Sequence, residues 1–189
     1  MSASFHSDEF GLEHQITSPS APDPKDLIPE RQLARSVSAA LPEKLKKAAL
    51  GERAIELRPV DPINPFAPTT REPKRMVWYR ANGSVSGGPA IHRSLLAYAS
   101  DFSFITTALQ PHGISWLTPG IRMSSLDHSM WFHRPFRMDQ WLLHVMESPS
   151  AHGARGFVRG QIFDETGNLI ASTAQEGVIR LKAWRDRDA

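Results

Sequence analysis

The chain has 189 residues, 40% of them hydrophobic and 22% charged, with a formal net charge of +2 and no cysteine. That length holds one ordinary domain with an extension, and the composition is that of a globular protein with a core. The small charge gives no electrostatic reason to expect nucleic acid as a partner, and the lack of cysteine excludes disulfides, thiolate metal sites and a cysteine nucleophile.

No apolar run approaches the roughly 18 residues of a transmembrane helix, so no membrane association is expected. The opening MSASFHSDEF has neither the basic nor the apolar region of a secretory signal, and the closing RDRDA is not a peroxisomal address. The expected location is the cytoplasm.

In chain order, Ser2 to His6 could form a short strand before an acidic turn. Thr17 to Pro24, TSPSAPDP, is small, polar and proline-rich and reads as a linker. Asp26 to Leu50 has helical periodicity in two pieces, with Leu33, Val37 and Leu41 marking one stripe and Leu45 and Ala49 the other, closed by Gly51. The EKLKK stretch from Glu43 to Lys47 is the densest basic patch and reads as a solvated helix face. Ala54 to Val60 alternates as a strand, Asp61 to Pro73 carries four prolines and must be loop, and Met76 to Ala81 is a second strand ended by the Asn82-Gly83 turn signal.

Ile91 to Gln110 reads as one long helix, started by Pro89 and stopped by Pro111 and Gly113. Ile91, Leu95, Tyr98, Ala99, Phe102, Ile105 and Leu109 fall on one stripe, and Leu96 and Phe104 add apolar surface elsewhere, so the helix should be buried. Four β segments follow: Ser124 to His133, Trp141 to Glu147, Gly156 to Phe163 and Leu169 to Leu181, with turns at Arg134-Pro135, Ser148-Pro149-Ser150 and Glu165 to Asn168. The order predicts an α+β architecture, an antiparallel sheet wrapped around one long apolar helix. The expected divisions are residues 1–53 as remnant strand, linker and short helices, 54–182 as the folded domain, and 183–189 as a tail.

Two polar residues fall where apolar ones are expected. Asp101 lies in the helix with no basic residue three or four positions away, and an unpaired buried carboxylate needs a partner from elsewhere. Gln175 shares the inner face of the last strand with Leu169, Ala171, Thr173, Ile179 and Leu181. Ser125 opens the strand SSLDHSMWFH, where alternation does not decide which face it takes. One carboxylate, one amide and one hydroxyl suit the activation of water: Asp101 accepting the proton, with burial raising its basicity, and Gln175 and Ser125 holding the oxygen. His128 and His133 point to opposite faces of a strand without a carboxylate cluster to complete a metal site, so both read as structural. SVSGGP, Ser84 to Pro89, could offer backbone N–H groups but lacks a phosphate-loop lysine.

The strings LLAYASDFSFITTALQPHG, SSLDHSMWFHRPF, WLLHVMESPSAHGARGFVRGQIFD and LIASTAQEGVIR resemble, in order, the acyl-CoA thioesterase II family. GLEHQ, ELRPV and MVWYRANG are similar to that family's domain-connecting region. The resemblance implies a hotdog fold and metal-free, cofactor-free hydrolysis of fatty acyl-CoA to free acid and CoA. It implies catalytic roles for Asp101, Ser125, where the bacterial type often has threonine, and Gln175. The family's chain carries two hotdog units and this one resembles only the second, Met1 to Gln15 resembling the exit of the first. A homo-oligomer formed through the sheet is therefore expected. Arg134, Arg137, Arg155 and Arg159 are candidates for the CoA phosphates, none favoured over the others. Two other readings are a hotdog hydratase, for which His92 lies too far along the helix from Asp101, and a catalytically silent acyl-CoA-binding or assembly module.

Overall fold

The computed structural model describes residues 2–7, 9–40, 43, 46 and 50–182. The second helical stripe, Leu45 and Ala49, and the tail at 183–189 lie outside the described residues. Among the described residues, seven antiparallel strands form one sheet: β1 (Ile55–Pro59), β2 (Lys74–Ala81), β3 (Ile121–Ser125), β4 (Ser129–Phe132), β5 (Leu142–His152), β6 (Arg155–Asp164) and β7 (Leu169–Leu181). Their order is β1-β2-β5-β6-β7-β3, with β4 also on β7, so β3 and β4 share one edge. The sheet closes on helix α2 (Pro89–Ser100) and a 3-10 segment (Ile105–His112), while the short helix α1 (Glu30–Ser36) lies against β1. This is the expected α+β arrangement.

The core lies between the sheet and the helical segment. Leu57, Val77, Tyr79, Leu142, Met146, Val158, Ile162 and Ala171 meet Leu96, Ala99, Phe104, Ala108 and Leu109 there. Strand alternation accounts for the sheet side: β7 buries Ala171, Thr173, Gln175, Gly177 and Ile179, every second residue. Two inward glycines let the 3-10 segment approach. A Cβ on Gly177 would overlap Ile105 Cδ1, and one on Gly156 would lie 2.8 Å from Ala108 Cβ.

The long helix is not continuous. It ends at Ser100, with Asp101 as its C-cap, and resumes four residues later as the 3-10 segment. Side-chain bonds take carbonyls at the break: the Tyr79 hydroxyl, from β2, donates to the Phe102 carbonyl at 2.9 Å, and the nearby Thr106 and Thr107 hydroxyls donate to the Ser103 carbonyl at 2.7 and 3.2 Å. Ser103 adopts φ 63°, a left-handed conformation that breaks the helix. The expected stripe is also rotated. His92, Leu96, Ala99 and Ser100 are buried, whereas Ile91 and Tyr98 are exposed, Tyr98 resting edge-on against Phe102.

Three smaller expectations are corrected. Ser148-Pro149-Ser150 is a bulge inside β5, and the chain reverses instead at Gly153 and Ala154, both at positive φ. The predicted strand Ser124 to His133 is two strands, because Leu126 and Asp127 N–H both turn to the Glu176 carbonyl. Ser2 to His6 forms no strand among its described residues. The proline-rich linker docks on the outer sheet face: Trp78 Nε1 donates to Pro22 O at 3.0 Å, Arg58 to Pro24 O at 2.7 Å, and Ala21 and Leu27 pack on Trp78, Trp141, Leu143 and Phe163.

Candidate active site

The break in the helix places Asp101 at the rim of the groove between helix and sheet. β7 brings Gln175 beneath it, and the end of β3 brings Ser125 beside both, opposite Gly177. Gln175 Nε2 donates to Asp101 Oδ1 at 2.7 Å and to Ser125 Oγ at 2.9 Å. All three residues singled out in the sequence therefore meet around one amide nitrogen. The amide orientation follows from this, since a carboxylate can only accept.

Burial differs from expectation for one of the three. Gln175 is 1% exposed, but Asp101 and Ser125 are exposed in the single chain. Asp101 escapes the core because the helix stops there. At this helix C-terminus the Gln175 N–H is the donor that meets the Asp101 carboxylate. Both Nε2 protons are committed to neighbours, while Gln175 Oε1 is buried without a partner among the described residues.

His128 borders the site. Its Nε2 lies 2.8 Å from Ser100 Oγ, whose hydroxyl donates to Ala97 O, and its ring meets Phe104 edge-on. Loss of solvent lowers its pKa below the ordinary histidine value, although Asp101 and Asp127 pull it upward. Asp127 fixes the β3–β4 turn by accepting from Glu176 N–H at 2.8 Å. His133 Nε2 meets Ser172 Oγ at 2.8 Å, away from the group.

The candidate phosphate-binding arginines all have partners within the chain: Arg134 with Leu169 O, Arg137 with Asp139, Arg155 with Glu176 and Arg159 with Glu147. Arg137 and Asp139 also hold Val85 O and N in the glycine-rich loop before α2. His92 accepts from Met138 N–H at 3.1 Å. A cavity of about 420 Å³ between α1 and β1, rimmed by the Glu30–Arg53 ion pair, shares no residue with the Asp101 group. No group of three His, Asp or Glu side chains among the described residues could hold a metal ion. No helix among them is long and apolar enough to cross a membrane.

Residues 44–178 match the family model described as acyl-CoA thioesterase. The chain belongs to the acyl-CoA thioesterase II family. It is 43% identical over 180 residues to acyl-CoA thioesterase 2 of Haemophilus influenzae, covering 95% of this chain and 63% of that protein. Acyl-coenzyme A thioesterase 8 of Homo sapiens is 41% identical over 179 residues, covering 90% of this chain and 55% of its own. The chain thus spans between half and two thirds of the length of these relatives. Among solved structures, the acyl-CoA thioesterase II TesB2 of Mycobacterium marinum superposes with a TM-score of 0.68 at 30% identity, over 94% of this chain and 60% of that one. A hot dog fold protein of Alicyclobacillus acidocaldarius gives 0.64 at 14% identity, over 92% and 58% respectively, and so supports the fold alone. The acyl-CoA thioesterase II family member described here is accordingly a hotdog-fold chain.

Sequence reasoning missed the buried polar residues beneath the site, Tyr79, His144 and Thr173. Thr173 was legible as an inward residue two positions before Gln175. His144, within the apolar strand WLLHVM, gave no sign of which neighbours it would meet.

Proposed function

We propose that this chain hydrolyses fatty acyl-CoA to free acid and CoA with water as the nucleophile, and that Asp101, Ser125 and Gln175 carry the reaction. The observation behind this reading is the single amide nitrogen that bridges a carboxylate and a hydroxyl at the rim of an apolar groove. Family membership supplies the thioester class.

The remaining Asp101 oxygen accepts a proton from water as the water oxygen attacks the thioester carbonyl carbon. The resulting tetrahedral oxyanion collapses, the C–S bond breaks, and the CoA thiolate takes back the proton from the Asp101 carboxyl group. Gln175 orients the carboxylate rather than holding the water, because both its N–H groups are already engaged. Ser125 accepts from Gln175, which leaves its own O–H to donate to the water oxygen.

Leu126, Trp131 and Phe132 are 54%, 54% and 38% exposed along the β3–β4 edge. An edge strand with unsatisfied ladder groups and bare apolar side chains favours pairing. A second copy joined through this edge is proposed to cover it and to wall the acyl groove. Sedimentation should give a dimer, and a stable, well-behaved monomer refutes this part.

The activity is tested by thiol release from acyl-CoA substrates of increasing chain length, alongside binding by calorimetry. Turnover on medium or long chains is expected. Saturable acyl-CoA binding with no turnover would instead select a silent binding module.

A further inference from the structure

Beneath Asp101, three strands contribute polar side chains to the core. Tyr79 on β2 and His144 on β5 are 0% exposed, and Thr173 on β7 is 2% exposed. The Tyr79 hydroxyl is committed to the Phe102 carbonyl at 2.9 Å. Tyr79 Oη must therefore act as acceptor toward His144 Nδ1, 3.3 Å away, which puts the ring proton on Nδ1. Nε2 keeps its lone pair and accepts from Thr173 Oγ1 at 3.1 Å. One directed line of hydrogen bonds thus runs from Thr173 through His144 and Tyr79 to the backbone of Phe102.

The line crosses a whole strand. β6 lies between β5 and β7, and the residue beneath the ring is Gly160, paired with Thr173. A Cβ there would run into His144 Nε2 and lie 2.7 Å from Thr173 Oγ1, so only glycine leaves the passage open. Phe104 stacks on the same ring, centroids 5.4 Å apart.

We propose that Thr173, His144 and Tyr79 form a positioning strut that sets the Asp101–Gln175 contact. Phe102 follows Asp101 in the chain, and Thr173 precedes Gln175 by two residues on the same face of β7. The buried line and the 2.7 Å contact at the rim together close one loop. A carboxylate at the end of a helix is prone to fraying. Tying the next carbonyl to the strand that carries its amide partner removes that freedom. None of the three is a catalytic residue, because each acts through Phe102 or Gln175. Burial keeps the His144 ring neutral, its pKa held down to about 3, so the direction of the line persists across ordinary pH.

The kinetic consequence rests on the proposed role of Asp101, whereas the geometric claim does not. Tyr79→Phe and Thr173→Val each delete one hydroxyl and keep the shape of the side chain. In the whole chain, exchange of the Gln175 side-chain amide protons, read by NMR, is expected to quicken at least roughly fivefold in either variant. Backbone amides around Trp78 and Phe163, on the other sheet face, should keep their protection. Turnover should fall roughly tenfold with KM within about twofold, the signature of misplaced groups rather than lost binding. Nitrogen-15 spectra of the unmutated chain should show His144 protonated at Nδ1 and not at Nε2, a readout that stands even where a variant fails to fold. Unchanged Gln175 exchange in a folded variant, or an Nε2-protonated ring, overturns the strut. Faster exchange with undiminished turnover supports the strut and instead overturns Asp101 as the base.

Discussion

Replacing Gln175 by leucine separates the chemistry of the site from the packing beneath it. The side chain is 1% exposed, and leucine fills much of the same space. The loss comprises the 2.7 Å bond to the Asp101 carboxylate and the 2.9 Å bond to Ser125. A bond to a charged group contributes about 1.5–3 kcal/mol and a neutral one about 1 kcal/mol. Asp101 is exposed, so solvent screening places the first at its lower end and the sum near about 2.5 kcal/mol. Against this, Gln175 Oε1 is buried without a partner, which costs about 1–3 kcal/mol and disappears in leucine. The contributions nearly cancel, and unfolding free energy should move by no more than about 1.5 kcal/mol. Hydrolysis should nevertheless fall by roughly 100-fold, because the carboxylate and hydroxyl lose the group that aligns them. Urea unfolding and thiol release measured on the same preparation decide the matter. A variant that hydrolyses normally, or one destabilised by more than about 4 kcal/mol, refutes the reasoning.

Other outcomes follow from the same geometry. His144 has its pKa held at about 3 by burial against an ordinary 6.5, so the unfolded chain binds the extra proton first. Stability should be full above about pH 6.5 and decline toward pH 3, at a slope approaching ~1.4 kcal/mol per pH unit. Urea midpoints between pH 7 and 4 should show this decline. His128 and His133, both also lowered by desolvation, add to the same window, and a midpoint that rises on acidification contradicts it. Gly177→Ala should cost about 1–3 kcal/mol by driving a methyl group into Ile105. Adding Ile105→Ala should make the pair markedly less destabilised than the sum of the two single variants, and strict additivity in thermal unfolding would show that the overlap is relieved elsewhere.

The strands were largely legible because burial on one face imposes a period of two. β1, β2 and β7 lie within two residues of their expected limits, and alternation alone put Gln175 and Thr173 inside. The acid, the hydroxyl and the amide were legible as types, and in the fold Asp101 and Ser125 both bond to the Gln175 amide nitrogen. Asp101's exposure was not legible, because the helix break that causes it has no proline or glycine to announce it. The Tyr79 hydroxyl, more than twenty residues upstream, takes the Phe102 carbonyl, and Thr106 and Thr107 take that of Ser103. The Tyr79 bond, reaching across from another strand, leaves no local pattern. Pro149 misled for the opposite reason: it usually marks a turn, but here a bulge absorbs it, with Ser148 Oγ bonded to Phe157 O at 2.7 Å across the pair. The linker's docking was hidden likewise, since Pro22 and Pro24 serve through their backbone carbonyls, which composition does not reveal.

The most direct measurement is the steady-state hydrolysis of a long-chain acyl-CoA by the unmutated chain and by Asp101→Asn. Asparagine preserves the shape of the side chain but cannot take a proton from water. The expected result is a fall in kcat of roughly 100-fold or more with KM changed by less than about threefold. Equal kcat for the two proteins would remove Asp101 from the reaction and contradict the account.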